Sequence, residues 1–199
     1  MAGVPPSKAR AALIMVHGRG ANAPDMLKLA LKFNSPNLIY LAPQAADSSW
    51  FPNQSREPIA SNEPWLSSTF RIISDLFDQL AAAGLPTECI FLLGFSQGAC
   101  VCLEYATRHP RRYGGIFGLS GALMGPADAP RSYTGSLEQT PVFLGCSDVD
   151  SHIALERVQR AHEALERLDA HVTKRIYPGM GHVINEDEIA LVQAWLAGG

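Results

Sequence analysis

No stretch of this chain approaches the roughly 20 consecutive apolar residues that a membrane-spanning helix needs, so no integral membrane association is expected. The first residues also lack the charged-then-apolar layout of a secretory signal, and the expected location is the cytoplasm. Lysine and arginine form no basic run, and the formal net charge is −3, which argues against nucleic acid or an anionic membrane surface as the main partner. Arg108, Arg111 and Arg112 read as a solvated helix end, where cations complement the helix dipole. Cysteine is scarce: the 4 residues, at 89, 100, 102 and 146, have neither C-x-x-C spacing nor the density of a disulfide framework. They read as small buried hydrophobes, with Cys146 placed near the expected functional rim. No H-x-x-x-H pair or Cys/His cluster has ligand spacing, so no metal is expected.

What is present is material for a real core. With 199 residues, 47% of them hydrophobic and 18% charged, the chain suits one globular domain over 1–199. Residues 1–10 are polar and proline-bearing and should be frayed or strapped.

The chain is organised around Gly94-Phe95-Ser96-Gln97-Gly98. An apolar run, Cys89 to Leu93, leads into it and a helix-like stretch, Ala99 to Thr107, follows. A G-x-S-x-G turn in that setting exposes its serine at a strained strand-to-helix corner, which makes Ser96 the candidate nucleophile. Elsewhere, short continuous apolar runs predict strands at 11–16, 37–41, 113–119 and 141–145, and an alternating run predicts an edge or near-edge strand at 172–177. Helical periodicity predicts helices at 24–33, 66–83, 153–168 and 186–196. The stretch 42–64 is too long for a plain connector, and Trp50, Phe51, Ile59 and Trp65 give it apolar material either for a substrate wall or for tucking the loop onto the core. The Pro/Gly-rich stretch 122–140 reads as a surface excursion. Strand-helix alternation with connections over both faces implies a doubly wound, mostly parallel sheet.

In such a sheet functional groups collect beyond the carboxyl ends of the strands. Ser96, the acidic loop 148–150 and His182 each follow a predicted strand, in the chain order Ser, acid, His that α/β hydrolases use. His182 can take the serine proton while a carboxylate fixes its tautomer. His152 competes as base, although its closeness to the acids makes a rigid arrangement difficult. His17, at the end of the strand at 11–16, reads as a brace for the glycine-flanked loop His17-Gly18-Arg19-Gly20. Loops of this kind supply backbone donors to an oxyanion hole.

H-G-R-G-A-N at 17–22, L-A-P-Q-A at 41–45, N-E-P-W-L at 62–66, G-F-S-Q-G at 94–98 and Y-P-G-M-G-H at 177–182 together resemble the phospholipase/carboxylesterase family, from about residue 11 to the C-terminus. The resemblance implies a compact α/β-hydrolase fold with no cap domain, no cofactor, and cleavage of carboxylic esters or thioesters by a Ser-Asp-His triad. Ser96 and His182 carry over as nucleophile and base, and the backbone N–H groups of Arg19 and Gln97 as oxyanion donors. Gly18, Trp50, Trp65 and Met180 are the candidates for contact with substrate. The acid departs from the family pattern G-x-x-D-x-x-V-P. Here 145–154 has two extra residues and no proline. Counting from Gly145 selects Asp148, and counting back from Ile153 selects Asp150. Asp150 keeps Asp-x-x-Ile whole and leaves its neighbour to satisfy loop N–H groups.

The expected substrate is a small-molecule ester of short to medium acyl chain, since the chain is too short to add a cap and loop 42–64 offers a modest apolar wall. The alternatives are a lysophospholipase or acyl-protein thioesterase and, outside enzymes, a catalytically silent binding protein. A homodimer is left open.

Overall fold

The computed structural model describes residues 1–33, 35–126 and 132–198. Its elements are, in chain order, β1 (Ala2–Gly3), β2 (Ala11–Val16), α1 (Ala23–Ala30), β3 (Leu38–Leu41), α2 (Trp65–Ala82), β4 (Ile90–Phe95), α3 (Gln97–Arg108), β5 (Gly115–Leu119), β6 (Pro141–Ser147), α4 (Leu155–Arg167), β7 (His171–Tyr177) and α5 (Glu186–Ala197). Among the described residues the strands form one 7-stranded sheet in the order β1-β3-β2-β4-β5-β6-β7. All pairs are parallel except β1 with β3.

The continuous apolar runs follow from the sheet being covered on both faces. Ala12, Ile14 and Val16 of β2, with Ile90 and Leu92 of β4, point into a core under α2, α3 and α4. Leu13, Met15, Phe91 and Leu93 point the other way and meet residues of α1 and α5. β7 lies at the sheet edge, where its alternating pattern placed it. The N-terminus is strapped, not frayed: Ala2 pairs with Tyr40 and Gly3 with Ile39.

Element ends differ from the periodicity by a few residues, each for a local reason. α1 ends at Ala30, beyond which Leu31 to Phe33 continue as single turns. α4 begins at Leu155, because Ala154 before it is extended, at φ −62° and ψ 136°. In the expected surface excursion, residues 127–131 lie outside the described residues. Within the rest, Ala122, Leu123, Met124 and Leu137 are buried, contrary to a purely surface path. The Glu104 carboxylate explains part of this: it accepts the Met124 N–H and the Tyr133 hydroxyl, both at 3.0 Å.

Candidate active site

The turn after β4 is as tight as its glycines imply. Ser96 sits at φ 56°, ψ −117°, a left-handed backbone that an L-residue holds only where its surroundings enforce it. The Ser96 N–H donates to Leu119 O at 2.9 Å, and its carbonyl accepts the Cys100 N–H at 3.1 Å, so one end of the turn is tied to β5 and the other opens α3. A Cβ on Gly98 would overlap the carbonyl oxygens of Val16 and His17, and a Cβ on Gly94 would overlap the backbone of Gly98. The two glycines therefore let α3 approach β2 and β4 with the serine hydroxyl at the corner.

Two loops meet that hydroxyl. β6 and β7 pair from Pro141↔His171 to Ser147↔Tyr177, so the segments that follow them leave the sheet at one level. His182 Nε2 lies 2.8 Å from Ser96 Oγ, and His182 Nδ1 lies 2.7 Å from Asp150 Oδ2. The other oxygen, Asp150 Oδ1, accepts the N–H groups of His152 at 2.8 Å and Ile153 at 3.0 Å. Burial is the largest influence on the Asp150 carboxyl and pushes its pKa up. The His182 hydrogen bond and the two N–H donors together outweigh burial and hold the carboxyl below the ordinary aspartate value. The imidazole of His182 is further packed between Phe95, with ring centroids 5.0 Å apart, and His152, at 4.6 Å.

Of the two candidate acids, the structure brings Asp150 to His182 and places Asp148 elsewhere. Asp148 Oδ1 accepts the Gly179 N–H at 2.8 Å. Ser147 Oγ accepts the Gly181 N–H at 3.1 Å, so the loop that carries His182 is fastened at two points. The brace at Ser147 carried no signal in the sequence, where the apolar run ends at Gly145.

On the opposite side, the loop after β2 is held from within. His17 is fully buried, its Nε2 accepts the Ala45 N–H at 3.2 Å, and its Nδ1 therefore donates to Gly18 O at 2.7 Å. Burial pushes its pKa down, more strongly than the Gly18 carbonyl raises it, and the ring stays neutral. The Arg19 guanidinium donates to the carbonyls of Phe51, Pro52 and Asn53, at 2.9, 2.8 and 2.6 Å. Gln97 accepts the Trp50 N–H at 2.9 Å and donates to Phe51 O at 2.8 Å. These side chains lash the 49–53 segment to the turn. Among the described residues, the backbone N–H groups of Arg19 and Gln97 meet no protein acceptor.

Ser96 and His182 open into a cleft of about 480 Å³. Gly18, Arg19, Phe51, Phe95, Gln97 and Ile153 line it, with Gln54, Ser55, Arg56, His152 and Arg157. Of the four candidates for substrate contact, Gly18 is in this lining and the other three are not. Trp50 is 2% exposed and donates its Nε1–H to His17 O at 2.8 Å, so it braces the loop. Trp65 opens α2 and is outside the lining. Met180 turns its Sδ to Asn185 Nδ2. Within loop 42–64, Phe51 lines the cleft while Trp50 is tucked onto the core. Cys146 is buried, its thiol pushed up to about 12 chiefly by burial. Among the described residues no three His, Cys, Asp or Glu side chains are placed to hold a metal ion.

The family model described as Phospholipase/Carboxylesterase matches residues 4–198. A probable carboxylesterase, SOBER1-like, of Arabidopsis thaliana is 25% identical over 207 residues, spanning 96% of this chain and 79% of that protein. Acyl-protein thioesterase 1 of Gibberella zeae is 34% identical over 131 residues, 61% of this chain and 53% of the other. Among solved structures, a phospholipase/carboxylesterase from Dyadobacter fermentans superposes with a TM-score of 0.93 at 40% identity, covering 97% of this chain and 92% of that one.

Proposed function

Since the chain belongs to the phospholipase/carboxylesterase family, we propose that it is a serine carboxylesterase in which Ser96, His182 and Asp150 act as nucleophile, base and orienting acid. The observation that carries this is the unbroken chain from Ser96 Oγ to His182 Nε2, 2.8 Å, and from His182 Nδ1 to Asp150 Oδ2, 2.7 Å. In the first half-reaction Ser96 Oγ adds to the ester carbonyl carbon as its proton passes to His182 Nε2. The carbonyl oxygen, now an alkoxide, is met by the N–H groups of Arg19 and Gln97. Collapse breaks the bond to the alcohol, which leaves with the proton from Nε2 and an acyl group on Ser96. Water repeats the sequence, with His182 as its base, and releases the acid. Asp150 stays ionised throughout, held so by three donors, and keeps the Nδ1 proton in place.

The cleft wall supports a short to medium acyl chain. Polar Gln54, Ser55, Arg56 and Arg157 stand among the apolar Phe51, Phe95 and Ile153 in its lining. A thioester of similar size would meet the same chemistry, which the likeness to acyl-protein thioesterase 1 favours as a second reading. All four cysteines are free and three are buried, as suits a reducing compartment such as the cytoplasm.

The test is a fluorophosphonate probe with 4-nitrophenyl esters of rising acyl length. Wild type labels at Ser96 and turns over the shorter esters, and Ser96→Ala loses both, with kcat down by about 10⁴ to 10⁶. Failure of the folded wild type to label would instead mark a silent binding protein.

A further inference from the structure

The cleft beside Ser96 is lined by three arginines and, among the described residues, by no aspartate or glutamate. The chain as a whole carries a formal charge of −3, so this concentration of one sign runs against the average of the molecule. Two of the arginines belong to the walls. Arg19 has its guanidinium spread over three backbone carbonyls, which are neutral and leave its charge in place. Arg157 is buried, donating from Nη1 to Ser55 Oγ at 3.1 Å and from Nη2 to Leu123 O at 3.0 Å. Arg56 differs from both. It is exposed on the 51–58 segment that walls the cleft and makes no ion pair among the described residues. The neighbouring Glu57 is not part of the lining. The Asp150 carboxylate that meets His182 is taken up on both oxygens, by His182 and by two backbone N–H groups.

A low-dielectric cleft lined by one sign of charge focuses its field on whatever enters. A guanidinium at its mouth presents paired N–H donors that match a planar carboxylate. A purely apolar ester would leave those donors to water. Resting on the esterase reading above, we propose that the preferred substrates are esters carrying a second, negatively charged group of carboxylate type, bound by Arg56 at the mouth of the cleft while the ester carbonyl lies at Ser96. Arg56 is then a specificity-determining residue, and Arg19 adds to the field that draws the anion in.

The experiment compares esters that differ only in that charge. One pair places it on the acyl half: mono-4-nitrophenyl adipate, whose carboxylate is too distant to attack its own ester readily, against methyl 4-nitrophenyl adipate. The other places it on the alcohol half: 4-acetoxybenzoate against its methyl ester. The expected result is a kcat/KM for the anionic member of one pair about tenfold above that of its neutral partner, carried mainly by KM and eroded by added salt. Arg56→Gln brings that ratio toward one, and Arg56→Lys restores part of it. The pair that responds identifies the half of the substrate that Arg56 holds. Turnover of the neutral esters without preference for either anionic one overturns the proposal and leaves the esterase reading standing. A preference that survives intact in Arg56→Gln also overturns it. If a folded wild type hydrolyses none of the four, the esterase reading itself fails and the proposal falls with it.

Discussion

Replacing Asp150 by asparagine changes almost no volume, yet the structure predicts that it disables the base. The two carboxylate oxygens face different donors: Oδ1 takes the His152 and Ile153 N–H groups at 2.8 and 3.0 Å, and Oδ2 takes His182 Nδ1 at 2.7 Å. An amide has one accepting oxygen, and two backbone donors compete for it against one imidazole. The amide oxygen therefore occupies the Oδ1 position and the NH₂ turns to His182. There it can only donate, so Nδ1 must give up its proton and the imidazole carries hydrogen on Nε2, aimed at Ser96 Oγ. A ring in that tautomer cannot accept the serine proton, and the expected loss is about 10⁴-fold in kcat, on the order of 5 kcal/mol of transition-state stabilisation. Asp148→Asn behaves differently, because an amide oxygen still accepts the Gly179 N–H that Asp148 Oδ1 holds at 2.8 Å. Its expected cost is below about tenfold, the worth of weakening one charge-assisted hydrogen bond. The assay is hydrolysis of 4-nitrophenyl butyrate at neutral pH, with a thermal melt of each variant. Near-wild-type kcat in Asp150→Asn alongside collapse in Asp148→Asn would refute the assignment of the acid.

Two further outcomes follow from buried contacts. Glu188 is fully buried, and burial pushes its carboxyl up to about 7 despite the Asn185 N–H that opposes the shift. The folded state thus holds this proton more tightly than the unfolded chain, which releases it near 4.5. Its contribution to stability is complete below that value and is lost as pH rises to about 7, some 3 kcal/mol over the window. The melting temperature should fall from pH 5 to pH 8, and Glu188→Gln should flatten that fall; parallel curves for the two proteins would contradict it. Gly98→Ala must push α3 away from Val16 and His17, so it should cost about 1–3 kcal/mol by chemical denaturation and at least tenfold in kcat, since Ser96 moves with the helix. An alanine variant with wild-type stability and turnover would show that the close approach is not needed.

Most of the fold was legible because its signals are local. An unbroken apolar run such as Ala11 to Val16 has few uses other than a strand covered on both faces, and Gly94 and Gly98 around a serine after such a run leave little choice of turn. The places of Ser96 and His182 were legible for the same reason. The cleft wall was not, because a large aromatic residue in a long loop reads the same whether it meets substrate or core. Trp50 is buried by a hydrogen bond to His17 O and by the Gln97 side chain, partners 33 and 47 residues away that no periodicity reveals. Arg56 and Arg157 were illegible for the converse reason. Alone in the sequence they are ordinary cations, and only the loop path and the α4 position bring them to one cleft.

The acid was ambiguous because two anchors, one in β6 and one at the start of α4, disagreed by two residues, and the pairing of β6 with β7 shows how the difference is absorbed. β6 runs on past Gly145 to Ser147, whose partner in register is Tyr177, the last residue of β7. Those two residues of strand carry the following turn outward to the level at which the 178–182 loop begins. Ser147 and Asp148 are then beside that loop and take its Gly181 and Gly179 N–H groups, while the turn brings Asp150 back beneath His182. The helix anchor selects the carboxylate that meets His182, because Asp150 is fixed by the N–H of Ile153, just ahead of α4, whereas the strand anchor counts residues that the longer ladder has consumed. The extra length thus turns into a brace on the segment bearing His182.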